Sequence, residues 1–153
     1  MPAHANTALV TAAWLATLTG LPAGAVGVSR PPVEKWATTG FVSLGPIFAA
    51  TRDVNGPPLR WPVVQIDCVA VHPNSKKPNY HAAANLAEIV WHGCLLEPPT
   101  LTLPAGVAPV HVSTIYAVSD VRQVPEGDTG FAHYSLDVCV GWIEQGPVTG
   151  AVA

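Results

Sequence analysis

The stretch Trp61-Pro-Val-Val-Gln-Ile-Asp-Cys-Val-Ala-Val71 decides the fold class, because its residues alternate with the period of a β-strand. One face is wholly apolar, whereas the other face also carries Gln65 and Asp67. Pro62 stands at the start of the strand, where a missing backbone N–H is tolerated. The residues of the apolar face are Val64, Ile66, Cys68 and Ala70. The pattern predicts a strand that buries one face against another layer of the domain.

After a polar loop at 72–79, the chain enters a segment at 80–94 whose apolar residues recur with helical spacing. Asn79 precedes this segment and can cap the helix by accepting a backbone hydrogen bond. The apolar stripe consists of Ala83, Leu86, Ala87, Val90 and Cys94. We therefore predict a helix that packs on the sheet, with His81, Glu88 and His92 on its opposite side.

The N-terminal part predicts a helix at about 7–19, capped by Asn6, and a short strand at 25–29. Residues 8–18 also resemble the core of a signal peptide, but no Lys or Arg precedes Arg30, so the amphipathic helix is favoured. The run is too short and too rich in threonine to span a membrane, so no membrane partner is expected.

Residues 31–60 are the hardest to interpret, and we predict an extended arm or hairpin at about 35–60 (the predicted arm). Within it, residues 41–44 alternate like a strand and residues 55–58 form a turn. An aromatic residue beside an irregular loop of low charge is often an interface anchor, and the alternative is that the arm packs on its own domain. The predicted interface residues are Trp36, Arg52, Arg60 and Trp61.

Two further strands are predicted at 110–122 and 130–142, joined by a hairpin turn at 125–130. The expected fold is a single α+β domain over 1–145, followed by a flexible tail at 146–153. Its antiparallel or mixed sheet has about four to five strands, with two helices packed on one face. The other face, with Gln65, Asp67, His133 and Asp137, is expected to face solvent or a partner.

The composition favours association between copies over binding of nucleic acid. Only 11% of the 153 residues are charged and the net charge is −3. Residues 1–80 carry six basic and three acidic side chains, a net +3, whereas residues 81–153 carry one basic and seven acidic side chains, a net −6. Such a division is compatible with chance, or with a head-to-tail contact between a basic and an acidic side.

The residues that could support catalysis or metal binding do not form a known pattern, so no enzyme, cofactor or metal site is predicted. The cysteines Cys68, Cys94 and Cys139 are odd in number, widely spaced and set in apolar runs, which predicts buried thiols. His81 and His92 would lie about 16 Å apart along their helix, too far to share a metal. Asp67 and Asp137 could form a carboxylate pair, but outward polar residues are the simpler interpretation.

Three segments carry a resemblance to a known family: Trp61-Pro-Val-Val-Gln-Ile-Asp-Cys-Val-Ala70, Ala82-Ala-Ala-Asn-Leu-Ala-Glu88, and Pro125 through Tyr134-Ser-Leu-Asp-Val-Cys-Val-Gly-Trp142. Their order and spacing resemble the tail terminator (tail-completion) proteins of siphophages, the long-tailed, non-contractile bacteriophages. This resemblance covers roughly two-thirds of the chain. It is a pattern of apolar positions, and the segment 31–60 departs from it.

The resemblance implies a structural virion protein that forms a ring, usually of six subunits. The ring would cap the tail tube, end its polymerisation and join it to the head-side connector or stopper protein. Genomic DNA would pass through the ring lumen without sequence-specific binding. The protein would be assembled in the host cytoplasm and lie at the head–tail junction of the virion. The alternatives are another head–tail joining protein, such as a stopper or minor tail protein, and a small hydrolase or ligand-binding domain.

Overall fold

The computed structural model describes residues 3–48, 59–125 and 130–145. The elements in chain order are α1 (Thr7–Ala16), β1 (Val26–Gly27), a 3₁₀ turn (Val33–Lys35), β2 (Phe41–Phe48), β3 (Val63–Ala70), α2 (Tyr80–Gly93), β4 (Val110–Ala117), β5 (Arg122–Val124) and β6 (Ala132–Glu144). This arrangement confirms the predicted α+β class. The described residues hold six strands, more than the predicted four to five, because the predicted strand at 110–122 is divided into β4 and β5.

The strands form one mixed sheet in the order β1-β2-β3-β6-β4, with β5 pairing with β6 beyond the end of β4. Only β1 and β2 run parallel, and every other pair is antiparallel. The long strand β6 lies at the centre, since β3 pairs with one of its edges and β4 and β5 share the other. Two of the three segments that carry the family resemblance, in β3 and β6, are therefore direct neighbours.

Both helices begin where the sequence predicts them, because an asparagine side chain caps each one. The Oδ1 atom of Asn6 accepts a hydrogen bond from the backbone N–H of Leu9 at 2.9 Å. The Oδ1 atom of Asn79 accepts one from Ala82 at 3.1 Å. The first helix ends at Ala16, earlier than predicted.

One face of the sheet and both helices share the main hydrophobic core. The predicted stripe of α2 is buried, as are the core-facing residues of β3. In β6 the residues facing the helices are Leu136, Val138, Val140 and Trp142, all buried. Burial of each large apolar side chain contributes about 1.5–3 kcal/mol. The indole N–H of Trp142 donates to the hydroxyl of Thr7 at 3.2 Å, which ties α1 to the centre of the sheet.

The opposite face of the sheet, which we call the outer face, is partly covered by the chain itself. A second apolar cluster forms there around Trp36, Phe41, Val69 and Val71. The ring of Trp36 meets the ring of Phe131 edge to face, with 5.9 Å between centroids. At the end of the sheet where β2 begins, the outer face is therefore less exposed to solvent than the sequence predicts.

Strand β4 differs from its predicted alternation because it contains a bulge. The register to β6 shifts between Val112 and Thr114. As a result Ile115 is buried in place of Thr114, and Tyr116 and Val118 are exposed, so the alternation that begins at Val112 does not continue beyond the bulge. After Ala117 the chain leaves the ladder and returns to β6 as the separate strand β5.

The first part of the predicted arm belongs to the body of the domain. Strand β2 pairs with β3, and Trp36 is buried. Residues 49–58, which include Arg52, lie outside the described residues, as do the predicted tail at 146–153 and most of the predicted turn at 125–130. Among the helices described, none is long and apolar enough to cross a membrane.

Candidate interaction surfaces

The four predicted interface residues have different positions. Arg60 and Trp61 lie at the surface just before β3. Trp36 is only 2% exposed, and its indole N–H donates to the carbonyl of Pro31 at 2.9 Å. Its ring therefore packs within its own domain and offers almost no area to a partner. Arg52 lies outside the described residues.

Arg60 is held against the C-terminal part of β6. Its backbone N–H donates to the carbonyl of Trp142 at 2.8 Å, and the N–H of Trp142 donates back at 2.9 Å. Its guanidinium carbon lies 5.0 Å from the ring centroid of Trp142, within cation–π range. Beside it, hydrogen bonds from His4 and from the backbone of Ala5 hold the pKa of Glu144 below its usual range, with a smaller contribution from the charges of His4 and Arg60. The backbone pairing and the cation–π contact therefore fix the position of the exposed Arg60 guanidinium beside β6.

Trp61 covers the outer face at the same end of β6, and a glycine permits this contact. A Cβ atom placed on Gly141 would lie 3.0 Å from the Cε3 atom of Trp61, so the strand has no room for a side chain there. Trp61 nevertheless remains 37% exposed. Trp61 is therefore both a cover for β6 and a surface aromatic.

A polar cluster occupies the middle of the outer face. The Nε2 atom of His133 lies 2.8 Å from Oδ1 of Asp67, and the side-chain amide of Gln65 donates to the same oxygen at 2.9 Å. Burial opposes ionisation of Asp67, but the hydrogen bonds from His133 and Gln65 outweigh it, so its pKa is lower than usual. Ser135 lies directly opposite Asp67, and its Oγ has no hydrogen-bond partner.

This cluster contains the residue types of a hydrolytic triad without the geometry. The hydroxyl-bearing Ser135 is completely buried, so a substrate cannot reach it in this structure. The imidazole of His133 is engaged with Asp67 through Nε2. Asp137 forms its own ion pair with Arg122 at 3.1 Å, so the two carboxylates that could have formed a catalytic pair have separate partners.

The exposed face of α2 carries the Glu88–His92 pair, 3.8 Å apart at i, i+4 spacing, which is typical of a solvated pair. Among the residues that the structure describes, no group of three or more His, Cys, Asp or Glu side chains could hold a metal ion.

A cleft of about 540 Å³ lies between the end of α1 and α2. Its lining includes Trp14, Leu18, Ile89 and Leu96.

All three cysteines are free and buried, which confirms the prediction of buried thiols. Burial raises the pKa of Cys68, with a further rise from the neighbouring charge of Asp67. Burial also raises the pKa of Cys94 to about 12. Neither thiol is an available nucleophile near neutral pH.

Two groups of exposed apolar side chains lie at the edges of the sheet, and sequence patterns did not reveal them. Ile47 and Phe48, the β2 patch, end strand β2 and are 44% and 50% exposed. Leu95, Tyr116 and Val118, the β4 patch, line one shallow hollow together with Asp120 and are 49–68% exposed. Contiguous exposed apolar residues are typical of protein contacts. Sequence patterns do not indicate the β4 patch, because Leu95 follows the end of α2 and Val118 follows the bulge.

The comparisons with known proteins agree with this fold. No family model and no curated protein sequence matches the chain. Among solved structures, a chain of the "Virion of native gene transfer agent (GTA) particle" is similar, with a TM-score of 0.50 and 20% sequence identity. The similarity covers 88% of this chain and 94% of that chain. The protein therefore shares its fold, over nearly the whole length of both chains, with a component of a virion.

Proposed function

We propose that this chain is a structural virion protein, and specifically a ring-forming tail terminator that caps the tail tube. The observation that carries the proposal is the shared fold with a virion chain, which leaves little of either chain unmatched. In this role the protein is not an enzyme. It acts by binding alone: copies bind one another to form the ring, and the ring binds the adjoining proteins of the virion.

The positions of the segments that resemble tail terminators support the finer assignment. The first segment includes β3, the second lies in α2 and the third ends in β6. These elements are in mutual contact, because β3 pairs with β6 and α2 packs against both strands. The resemblance therefore concerns one continuous structural unit at the centre of the domain.

The surface supports assembly. Exposed apolar residues occur at both edges of the sheet, and Arg60 and Trp61 place a cation and an aromatic ring at the surface beside β6. We propose that Arg60 and Trp61, together with Arg52, contribute to contacts between subunits of a ring of six. The ring would lie at the head–tail junction, bind the tail tube protein on one side and the head-side connector on the other, and let DNA pass through its lumen.

A capping assay on tail tubes tests the proposal. Tubes polymerised from the tail tube protein of the same phage are incubated with gold-labelled protein and imaged by negative-stain electron microscopy. A tail terminator labels one end of each tube and stops further growth when tube protein is added. Label along the tube or at neither end would overturn the proposal. Binding to the isolated head-side connector without binding to tube ends would favour a stopper protein instead.

A further inference from the structure

The cleft between the end of α1 and α2 has a volume of about 540 Å³, a size typical of binding sites. Leu18 and Ile89 contribute to its apolar lining. Two glycines permit the close packing at this point. A Cβ atom on Gly93 would lie 2.7 Å from Leu18, and one on Gly20 would lie 3.1 Å from Ile89. The cleft is therefore bounded by tightly packed elements.

Both helices end at this cleft, and each presents its negative end to it. Helix α1 ends at Ala16 and α2 ends at Gly93, and residues 17–20 and 92–93 line the cleft. The C-terminus of a helix carries a partial charge of about −0.5. The last turn of α1 contains no basic residue, and the last turn of α2 contains only His92. The two helix dipoles therefore favour a positive charge in the cleft.

Acidic side chains add to this field. Glu88 and Glu97 both line the cleft and are exposed. Neither lysine nor arginine occurs among the described residues that line it. The basic side chain nearest to Glu88 is that of His92, at 3.8 Å. An apolar lining beneath negative charge is complementary to an aliphatic chain that ends in a cation.

The exposed apolar area extends beyond the cleft. Leu96 lines the cleft and is 65% exposed, whereas the adjacent Leu95 is 68% exposed and lines the hollow of the β4 patch. A small ligand in the cleft would leave Leu95 in water, but a segment of protein can cover both leucines. Contiguous exposed apolar residues are typical of protein contacts, so the surface fits a macromolecular partner.

The described cations of this chain fit the cleft poorly. Arg30 and Arg60 stack on aromatic rings of their own domain, and Arg122 forms an ion pair there. The described lysines lie beside an acidic residue or within the polar loop at 72–79, without a large apolar neighbour that the leucines could contact. These positions favour a different protein over a second copy of this chain.

We propose that the cleft binds a lysine or arginine side chain, flanked by apolar residues, of an adjoining virion protein. This inference rests on the proposed function, because the partner is the tail tube protein or the head-side connector. The aliphatic part of the side chain packs on Leu18 and Ile89. Its charged group meets the carboxylates of Glu88 and Glu97 and the two helix ends.

Three probes with the same apolar chain test the chemistry of the cleft. Hexylammonium, hexanol and hexanoate are titrated at pH 7 into ¹⁵N-labelled protein, and the amide shifts of Gly20 and Gly93 report binding. Hexylammonium should bind about tenfold more tightly than hexanol, and hexanoate more weakly than either. Equal affinities for hexylammonium and hexanol would overturn the assignment of a cation.

Variants separate the charged and the apolar parts of the site. Glu88→Gln and Glu97→Gln should each reduce the preference for hexylammonium over hexanol by about two- to threefold. Leu96→Ser should weaken the binding of both probes by a similar factor. Glu34→Gln is the control, since it removes an exposed carboxylate that does not line the cleft. An unchanged preference in the variant that carries both cleft substitutions would overturn the role of the carboxylates.

Crosslinking within the assembly identifies the partner. A photoreactive benzoylphenylalanine in place of Leu95 leaves the lining of the cleft unchanged. This protein is bound to tail tubes or to the isolated connector and irradiated, and mass spectrometry should find a crosslinked tube or connector peptide that contains lysine or arginine. A crosslink to a second copy of this chain, or to no protein, would overturn the assigned partner. A wild-type protein that does not cap tail tubes would overturn the proposed function, and the amine titration would still decide the chemistry of the cleft.

Discussion

The imidazole of His133 and the carboxylate of Asp67 form a 2.8 Å contact across the β3–β6 ladder, at the middle of the outer face. Both side chains are largely buried, at 19% and 13% exposure. A buried carboxylate is stable only when its hydrogen bonds compensate for lost hydration, and here Gln65 donates to the same oxygen. Asp67 is therefore ionised in the folded protein and depends on its two partners.

The stability of the protein should fall in acid through Asp67. Its pKa is lowered by folding, so its contribution is present above the unfolded pKa of about 4 and is lost as the pH falls through the folded value. Asp67→Asn should lower the free energy of unfolding at pH 7 by about 1–3 kcal/mol and flatten this acid dependence. Urea unfolding at pH 7 and between pH 5 and pH 2 measures both effects.

The matched control is Glu88→Gln, which removes a carboxylate from a half-exposed pair on α2. An exposed pair of this kind contributes little, so this variant should unfold like the wild type. An unchanged acid profile in Asp67→Asn would contradict the role given to the buried carboxylate.

Gly40 should be the glycine least tolerant of substitution in this part of the fold. Its φ of 73° is unfavourable for other residues, and a Cβ there would lie 2.6 Å from Leu86 Cδ1 and 2.9 Å from the carbonyl oxygen of Val69. Gly106 provides the control, since its φ is 85° but nothing lies within 4 Å of an added Cβ. Gly106→Ala should cost about 1 kcal/mol through backbone strain alone, and Gly40→Ala about 1–3 kcal/mol more through overpacking.

Thermal unfolding monitored by circular dichroism compares the two glycine variants. Equal losses in melting temperature would show that the close approach between Gly40 and α2 does not affect the stability of the fold.

The centre of the domain could be predicted from sequence because its signals are local. The alternation of β3, the stripe of α2 and the two asparagine caps each depend on residues within a few positions of one another. The structure places the predicted apolar face of β3 and the stripe of α2 in one core, as expected. Local periodicity was sufficient for these elements because one layer of helices covers one face of the sheet.

The outer face could not be predicted in the same way, because its contacts join distant parts of the chain. Trp36 is buried by contact with Phe131, and periodicity around Trp36 contains no information about that ring. The bulge before Thr114 shifts the strand by one residue and reverses which side chains face the core. The candidate surfaces were therefore predicted in part: Arg60 and Trp61 lie at the surface, whereas the exposure of Phe48 and Val118 is apparent only from the structure.

The thiols should be unreactive until the protein unfolds. Cys68, Cys94 and Cys139 are buried, and burial raises the pKa of the first two. A colourimetric disulfide reagent at pH 8 should therefore modify none of the three thiols within minutes in buffer, and all three in guanidinium chloride. Rapid modification of one thiol in the native protein would show that its burial is transient.

Between the two surface residues before β3, Trp61 should matter more for assembly than Arg60. The open part of the Trp61 ring can be buried by a partner, and buried aromatic area is the usual source of interface affinity. Arg60 is an exposed charge already stacked on Trp142, and a solvent-exposed ion pair contributes at most about 1 kcal/mol. We therefore expect Trp61→Ala to weaken ring formation by about tenfold or more, and Arg60→Ala by about fivefold or less. Light scattering at several protein concentrations, alone and with tail tubes, measures the difference.

Because the ring of Trp61 also packs on Gly141, melting temperatures must be compared, and Trp61→Phe retains an aromatic cover over the strand. Folded Trp61→Ala protein that assembles as well as the wild type would remove Trp61 from the interface.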